Sequence, residues 1–204
     1  HAERRRLFEL PRSTWEDYGK NLISKGGGVF ERAAKAIPIS PEMKARFGIE
    51  KDSLSPIHLI RALLTAECDL LYFGGIGTYV KASDERHADA GDRANDPLRI
   101  DGREIRAKVV AEGANLGMTQ RGRIEYARLG AGGKGGRLNT DAIDNSAGVD
   151  CSDHEVNIKI LFSQPLGEGT LTLKARDALL AEMTDEVAAL VLRDNYLQTA
   201  CLSV

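Results

Sequence analysis

Two stretches of this chain place glycines directly after a short apolar run, which suits binding through the backbone. Leu70-Leu71-Tyr72-Phe73 leads into Gly74-Gly75-Ile76-Gly77. Ala107-Lys108-Val109-Val110-Ala111 leads into Glu112-Gly113-Ala114-Asn115. Glycine lets main-chain N–H groups approach a phosphate or a cofactor ring with no side chain in the way. Neither stretch spells a full dinucleotide fingerprint. Gly75-Ile76-Gly77-Thr78-Tyr79-Val80 has Val where the third small residue belongs, and Gly26-Gly27-Gly28 has Glu31 there. A P-loop fails as well, because Gly135 follows Lys134 where Ser or Thr is needed and Arg128 stands in place of the first glycine. Pattern alone favours tight-turn glycines in each stretch.

Ser152 has two readings. Ser152-Asp153-His154-Glu155 fits a capping box, with Ser152 as helix N-cap. The same geometry would also aim its hydroxyl at a substrate carboxylate, where a helix N-terminus favours an anion. Cys151 invites a nucleophile reading, but there is no G-x-S-x-G elbow and no assignable base. His1, His58, His87 and His154 are scattered and suggest no metal site. Arg4-Arg5-Arg6 reads as a solvated helix face.

These residues need a frame to hold them. Short apolar runs alternating with helical segments predict an α/β protein with a doubly wound parallel sheet. Leu70–Phe73 and Ala107–Ala111 are expected as strands buried on both faces, as parallel sheets require. In such a sheet ligands bind beyond the carboxyl ends of the strands, where both glycine stretches fall. Ser40-Pro41 and Ser55-Pro56 start helices, Gly48 ends the first, and Ile57, Ile60 and Leu64 mark an apolar face on the second. Residues 83–103 read as a polar surface segment and Gly130–Gly136 as a flexible loop. From Ser152 onward the chain reads as helical, with a turn at Pro165–Gly169 and two helices over 172–183 and 185–203.

The 204 residues carry 28 basic and 30 acidic side chains, a balance unlike that of a nucleic-acid binder. No apolar run approaches the ~18 residues of a membrane span, and no signal peptide opens the chain. Three cysteines suit a reducing, cytoplasmic setting better than a disulfide framework. The chain opens on His1 without a methionine and stops directly after an amphipathic run, so a fragment is expected.

Three segments together resemble one family. Ala107-Lys-Val-Val-Ala-Glu-Gly-Ala-Asn115 resembles the A-K-[IV]-[IV]-A-E-G-A-N segment of glutamate dehydrogenases. Asp144-Asn-Ser-Ala-Gly-Val-Asp-Cys-Ser152 resembles their A-N-A-G-G-V-T-V-S, with Ala147 in place of the first paired glycine and Asp150 and Cys151 in place of Thr and Val. Asp69-Leu-Leu-Tyr-Phe-Gly-Gly-Ile-Gly-Thr-Tyr-Val-Lys81 and Asn139–Asp150 are similar to the large bacterial NAD-specific members in particular. The likeness runs from Arg4 to Tyr196.

That resemblance implies a partial Rossmann-type sheet followed by C-terminal helices. Residues 1–150 would be the second part of the NAD-binding domain and 151–204 a helical segment. The implied reaction is oxidative deamination of L-glutamate to 2-oxoglutarate and ammonia, with NAD as hydride acceptor. Asn115 matches the asparagine near the nicotinamide ribose, and Asn145 the asparagine near nicotinamide and substrate. Ser152 matches the serine that helps hold the substrate side-chain carboxylate. Gly74, Gly75 and Gly113 fall on the cofactor side. The family's catalytic lysine and aspartate have no counterpart here, so no catalytic residue is assigned and the chain alone is expected to be inactive. The full enzyme is expected to be a homo-oligomer, with no nucleic acid or membrane as partner. The alternatives are a non-catalytic regulatory or assembly module, or an NAD-dependent dehydrogenase of another amino acid.

Overall fold

The computed structural model describes residues 1–203. The strands are β1 (Ile37–Pro38), β2 (Ser53–Leu54), β3 (Leu70–Phe73), β4 (Val80–Lys81), β5 (Ile100–Asp101) and β6 (Val109–Glu112). The helices are α1 (Ala2–Glu9), α2 (Pro41–Phe47), α3 (Pro56–Leu64), α4 (Gln120–Gly133), α5 (Asp141–Asp144), α6 (Ser146–Gly167), α7 (Leu173–Glu182) and α8 (Thr184–Cys201).

Local signals set α2 and α3. The Ser40 hydroxyl accepts the Met43 N–H (3.1 Å), Pro41 takes the first helical position, and Gly48 closes the helix at a φ of 66°. Ser55 caps α3 in the same way. These helices and the antiparallel β1–β2 pair enclose a small core of Ile37, Ile39, Met43, Ile49 and Leu59. The buried residues of α3 are Pro56, Leu59 and Leu64; Ile57, expected on that face, is exposed.

The molecule is mixed α/β with parallel pairing. β3 pairs with β6 in the register Leu70↔Val109 to Phe73↔Glu112, and β4 with β5. A single isolated bridge joins Arg137 in parallel to Val109, outside any strand. The main core gathers Phe73, Val80, Ile100, Ile105, Val110 and Met118 around Tyr126 of α4. The Tyr126 hydroxyl donates to the Ala107 carbonyl (2.9 Å), and burial pushes its pKa up to about 12.

The expectation of strands buried on both faces is not met. Leu70, Tyr72 and Val109 are exposed, whereas Phe73, Val110 and Glu112 are buried. The side chains alternate, with α4 and the core on one face only. Nor is residues 83–103 a wholly surface segment: Leu98, Arg99 and Ile100 are buried at its end. Arg99 spends its guanidinium on the Thr78 and Asp92 carbonyls, Asp96 and His87. Two glycines of the Gly130–Gly136 run answer to a packing demand. A Cβ on Gly130 or Gly136 would overlap the Tyr126 ring, so these glycines let the chain wrap that side chain.

The C-terminal helices begin earlier than expected. α6 opens at Ser146, with Asn145 at the N-cap position, and runs across residue 150. The capping box at Ser152 is therefore corrected: Ser152 lies inside the helix, and its hydroxyl donates to the Gly148 carbonyl (3.1 Å). The turn expected at Pro165–Gly169 starts later, because α6 carries Pro165 in its last turn and ends at Gly167. The Pro165 carbonyl then accepts the Thr170 and Leu171 N–H groups, which reverses the chain. No helix among the described residues is long and apolar enough to cross a membrane.

Candidate functional site

The site is assembled at the carboxyl ends of β3 and β6. The Gly113 N–H donates to the Phe73 carbonyl (2.8 Å), so Gly74 and Gly113 leave the sheet side by side. Neither Gly74 nor Gly75 has a positive φ. A Cβ on Gly75 would meet nothing within 4 Å, and one on Gly74 only the Tyr72 ring at 3.8 Å. The chain itself gives these two glycines no steric reason to be glycine, and their backbone faces open space. Gly113 differs, because a Cβ there would overlap the Tyr72 hydroxyl.

Asn115 follows on the loop between β6 and α4. Asn145, at the junction of α5 and α6, reaches it: its Nδ2 donates to Asn115 Oδ1 at 3.0 Å. These residues lie 30 positions apart in the chain, yet their carboxamides meet. Among the described residues the other donors and acceptors of both amides make no hydrogen bond.

Buried charge holds this meeting in place. Glu112, at the end of β6, accepts two hydrogen bonds from Arg123 of α4, from Nε (2.7 Å) and Nη2 (3.0 Å). Both side chains are buried, and a bidentate pair fixes orientation as well as distance. Arg123 also meets Asp141 of α5 (3.1 Å), and Glu112 Oε1 accepts the Met118 N–H (3.2 Å). Burial works against the charge on Arg123, but Glu112 and then Asp141 outweigh it, so its pKa is raised. Burial opposes the charge on Asp141 too. The Leu116 N–H (2.8 Å), the Thr140 hydroxyl and Arg123 overcome it and lower its pKa. Asp144 completes the frame, accepting the Glu112 N–H (3.0 Å) and the Asn139 amide (3.0 Å). One strand end, one loop and one short helix are thus tied together beneath the asparagine pair.

Ser152 stands apart. It lies seven residues after Asn145, which puts it on the same side of α6 about 10 Å along the axis. Between them on that side lie Gly148, which is exposed and carries no side chain, and the exposed Val149. The start of α6 is latched to α8 by a hydrogen bond from the buried Ser146 hydroxyl to Asn195 Oδ1.

A family model described as the bacterial NAD-glutamate dehydrogenase catalytic domain matches residues 1–204. The chain belongs to this family. It is 63% identical over 203 residues to the NAD-specific glutamate dehydrogenase of Pseudomonas aeruginosa, and 61% identical over 203 to that of Halomonas elongata. Each match takes in 100% of this chain. It is 56% identical over 200 residues, 95% of the chain, to the enzyme of the same name from Mycobacterium tuberculosis. The chain spans 12% of the length of each of these relatives.

Within this bacterial glutamate dehydrogenase segment, sequence reasoning missed the Glu112–Arg123–Asp141 network. Glu112 read only as part of a motif, and Arg123 was given no role. The available signal was Arg123 on the helix after the strand that ends in Glu112, a position from which it can fold back over the strand end. Among the described residues no group of three or more His, Cys, Asp or Glu could hold a metal ion.

Proposed function

We propose that this chain supplies cofactor- and substrate-positioning residues of an NAD-specific glutamate dehydrogenase, which converts L-glutamate to 2-oxoglutarate and ammonia. The relatives' shared name supports the reaction. The observation that carries the residue roles is the Asn115–Asn145 contact at the carboxyl ends of two parallel strands, where this architecture binds nucleotides. In this reading residues 1–150 are the second part of a Rossmann-type domain. Its doubly wound sheet would include β3 and β6. Residues 151–204 are a helical segment facing the substrate.

The donor set suits a dinucleotide. Two neutral carboxamides offer both donors and acceptors to a ribose or a nicotinamide amide, and Gly74 and Gly75 present bare backbone beside them. Gly113 serves through its backbone, its missing side chain making room for Tyr72. Bound here, NAD would supply the hydride acceptor for the reaction. Asn115 holds the ribose side of the cofactor. Asn145 bridges toward the substrate, and the Ser152 hydroxyl turns from Gly148 to the substrate side-chain carboxylate. None of these groups transfers a proton. Their contribution is orientation, which can lower a barrier by several kcal/mol, with about 7–11 as the upper range.

The test is NADH binding to the full-length enzyme, followed by fluorescence. Asn115→Ala removes a hydrogen-bonding side chain and should weaken NADH binding about five- to tenfold. The glutamate KM should change little. Wild-type NADH affinity in this variant would reject the assignment.

A further inference from the structure

Leu116 is held in a conformation that leucine disfavours. Its φ is 59°, in the left-handed region where glycine and asparagine sit readily and a branched apolar residue does not. Only Arg12 and Ala131 share a positive φ among the described non-glycine residues. Arg12 follows Pro11 in the turn closing α1, and Ala131 lies in the glycine run where α4 breaks. Leu116 differs from both, because its backbone is clamped from two sides. Its N–H donates to Asp141 (2.8 Å), and its carbonyl accepts the hydroxyl of the buried Thr78 (2.7 Å).

The clamp fixes the main chain and leaves the side chain outside, 61% exposed. Leucine at this position therefore carries two disadvantages together, a disfavoured φ and an apolar side chain in water. A glycine here would have neither. Nothing among the described residues repays them, and Leu116 directly follows Asn115 at the strand ends. Where local rules are broken at a tightly held position, the reason is sought in function.

We infer that Leu116 is an apolar contact for the nicotinamide end of the bound dinucleotide, and that Asp141 and Thr78 hold it in place for that contact. This rests on the reading of Asn115 and Asn145 as cofactor-side residues. A nicotinamide ring has a flat, weakly hydrated face, and a fixed isobutyl group beside the two carboxamides would pack against it while they bind its polar edge. Because the clamp acts on the main chain, the side chain can be changed without disturbing the loop.

Full-length enzyme carrying Leu116→Gly, Leu116→Asn or Leu116→Met decides the matter through two readouts, NADH affinity by fluorescence and the thermal unfolding midpoint. Glycine and asparagine both accept the positive φ, so neither variant should lower the midpoint. Each should raise the Kd for NADH about tenfold, the value of one buried leucine contact. Leu116→Met, which restores apolar bulk, should recover most of that affinity. Competition with nicotinamide mononucleotide should show the same loss, and competition with 5′-AMP should show none. Unchanged NADH affinity in the glycine and asparagine variants overturns the inference. So does a loss confined to 5′-AMP, or a lowered midpoint, which would place the leucine against protein instead of ligand. Asn115→Ala measured alongside separates the two levels. If it weakens NADH while the Leu116 variants do not, only the contact is wrong. If neither changes binding, the cofactor-side reading falls as well.

Discussion

The two halves of the candidate site are held in different ways. Asn115 stands over a frame of buried charge, in which Glu112 and Arg123 are almost wholly excluded from water and each makes several hydrogen bonds. Ser152 rides on a helical layer with little of its own core. From Ser146 to Ser203 only Ser146 and Val191 are buried, while Val156, Ile160, Leu161, Leu192 and Tyr196 are exposed. In the first region a side chain's position is fixed by long-range ionic partners. In the second it is fixed by helix periodicity and by one latch between α6 and α8. Changes to the frame should therefore damage the fold and the proposed cofactor site together. Changes on the outer helix should affect ligand contacts and leave stability almost untouched.

The largest effect is expected from Arg123→Met. Removing the cation leaves Glu112 buried without its partner, and such truncations cost about 3–5 kcal/mol. In the full-length enzyme the thermal unfolding midpoint and NADH affinity should fall together. The double variant Arg123→Met, Glu112→Leu should recover part of the stability, because no lone charge remains on the strand end. A midpoint unchanged in Arg123→Met would mean that the frame does not organise this half of the site.

A smaller and pH-dependent effect is expected at Asp141. Its folded pKa is lowered, so its ionised form stabilises the fold at neutral pH. That contribution is complete above the unfolded value of about 3.9 and is lost as pH falls through the lower folded value. Asp141→Asn should weaken the enzyme at neutral pH and flatten this part of its acid unfolding. Glu155 on α6 provides the contrast. Its pKa is also lowered, by Lys159, but the pair is exposed to solvent, so Glu155→Gln should leave the acid limb in place. Equal responses from the two carboxylates would erase the distinction between the regions.

What was legible in the sequence follows the same division by range. Ser40, Ser55 and Gly48 were readable as caps because capping is decided within four residues, and the helices begin and end where those residues said. The strands at Leu70 and Val109 were readable as strands, but their second buried face was not there, since burial depends on what lies across the sheet. Ser152 carried a convincing capping pattern and proved to be mid-helix, because Asn145 starts the helix two turns earlier. Gly130 and Gly136 looked like loop glycines because their partner, the Tyr126 ring, is assigned only by the fold. The motifs around Asn115 and Asn145 picked out two residues whose side chains the fold brings into contact. The Glu112–Arg123–Asp141 frame beneath them joins a strand, a helix and a short helical turn, and no local pattern specifies that union.

The smallest change in stability is expected at Ser152, and this variant tests the comparison most sharply. The Ser152 hydroxyl is exposed and bonded only to the carbonyl one turn back, an arrangement that adds little to a helix and can weaken it slightly. Alanine has the higher helix propensity. Ser152→Ala should therefore leave the unfolding midpoint unchanged or slightly raised, within about 0.5 kcal/mol. NADH binding should also hold, because Ser152 lies about 10 Å along α6 from the asparagine pair. The glutamate KM should nevertheless rise several-fold, and Ser152→Thr, which keeps a hydroxyl, should recover part of it. An unchanged glutamate KM would remove Ser152 from the site. A rise accompanied by lost stability would mean that this face of α6 is structural, and the contrast between a charge-framed proposed cofactor side and a helix-borne proposed substrate side would no longer stand.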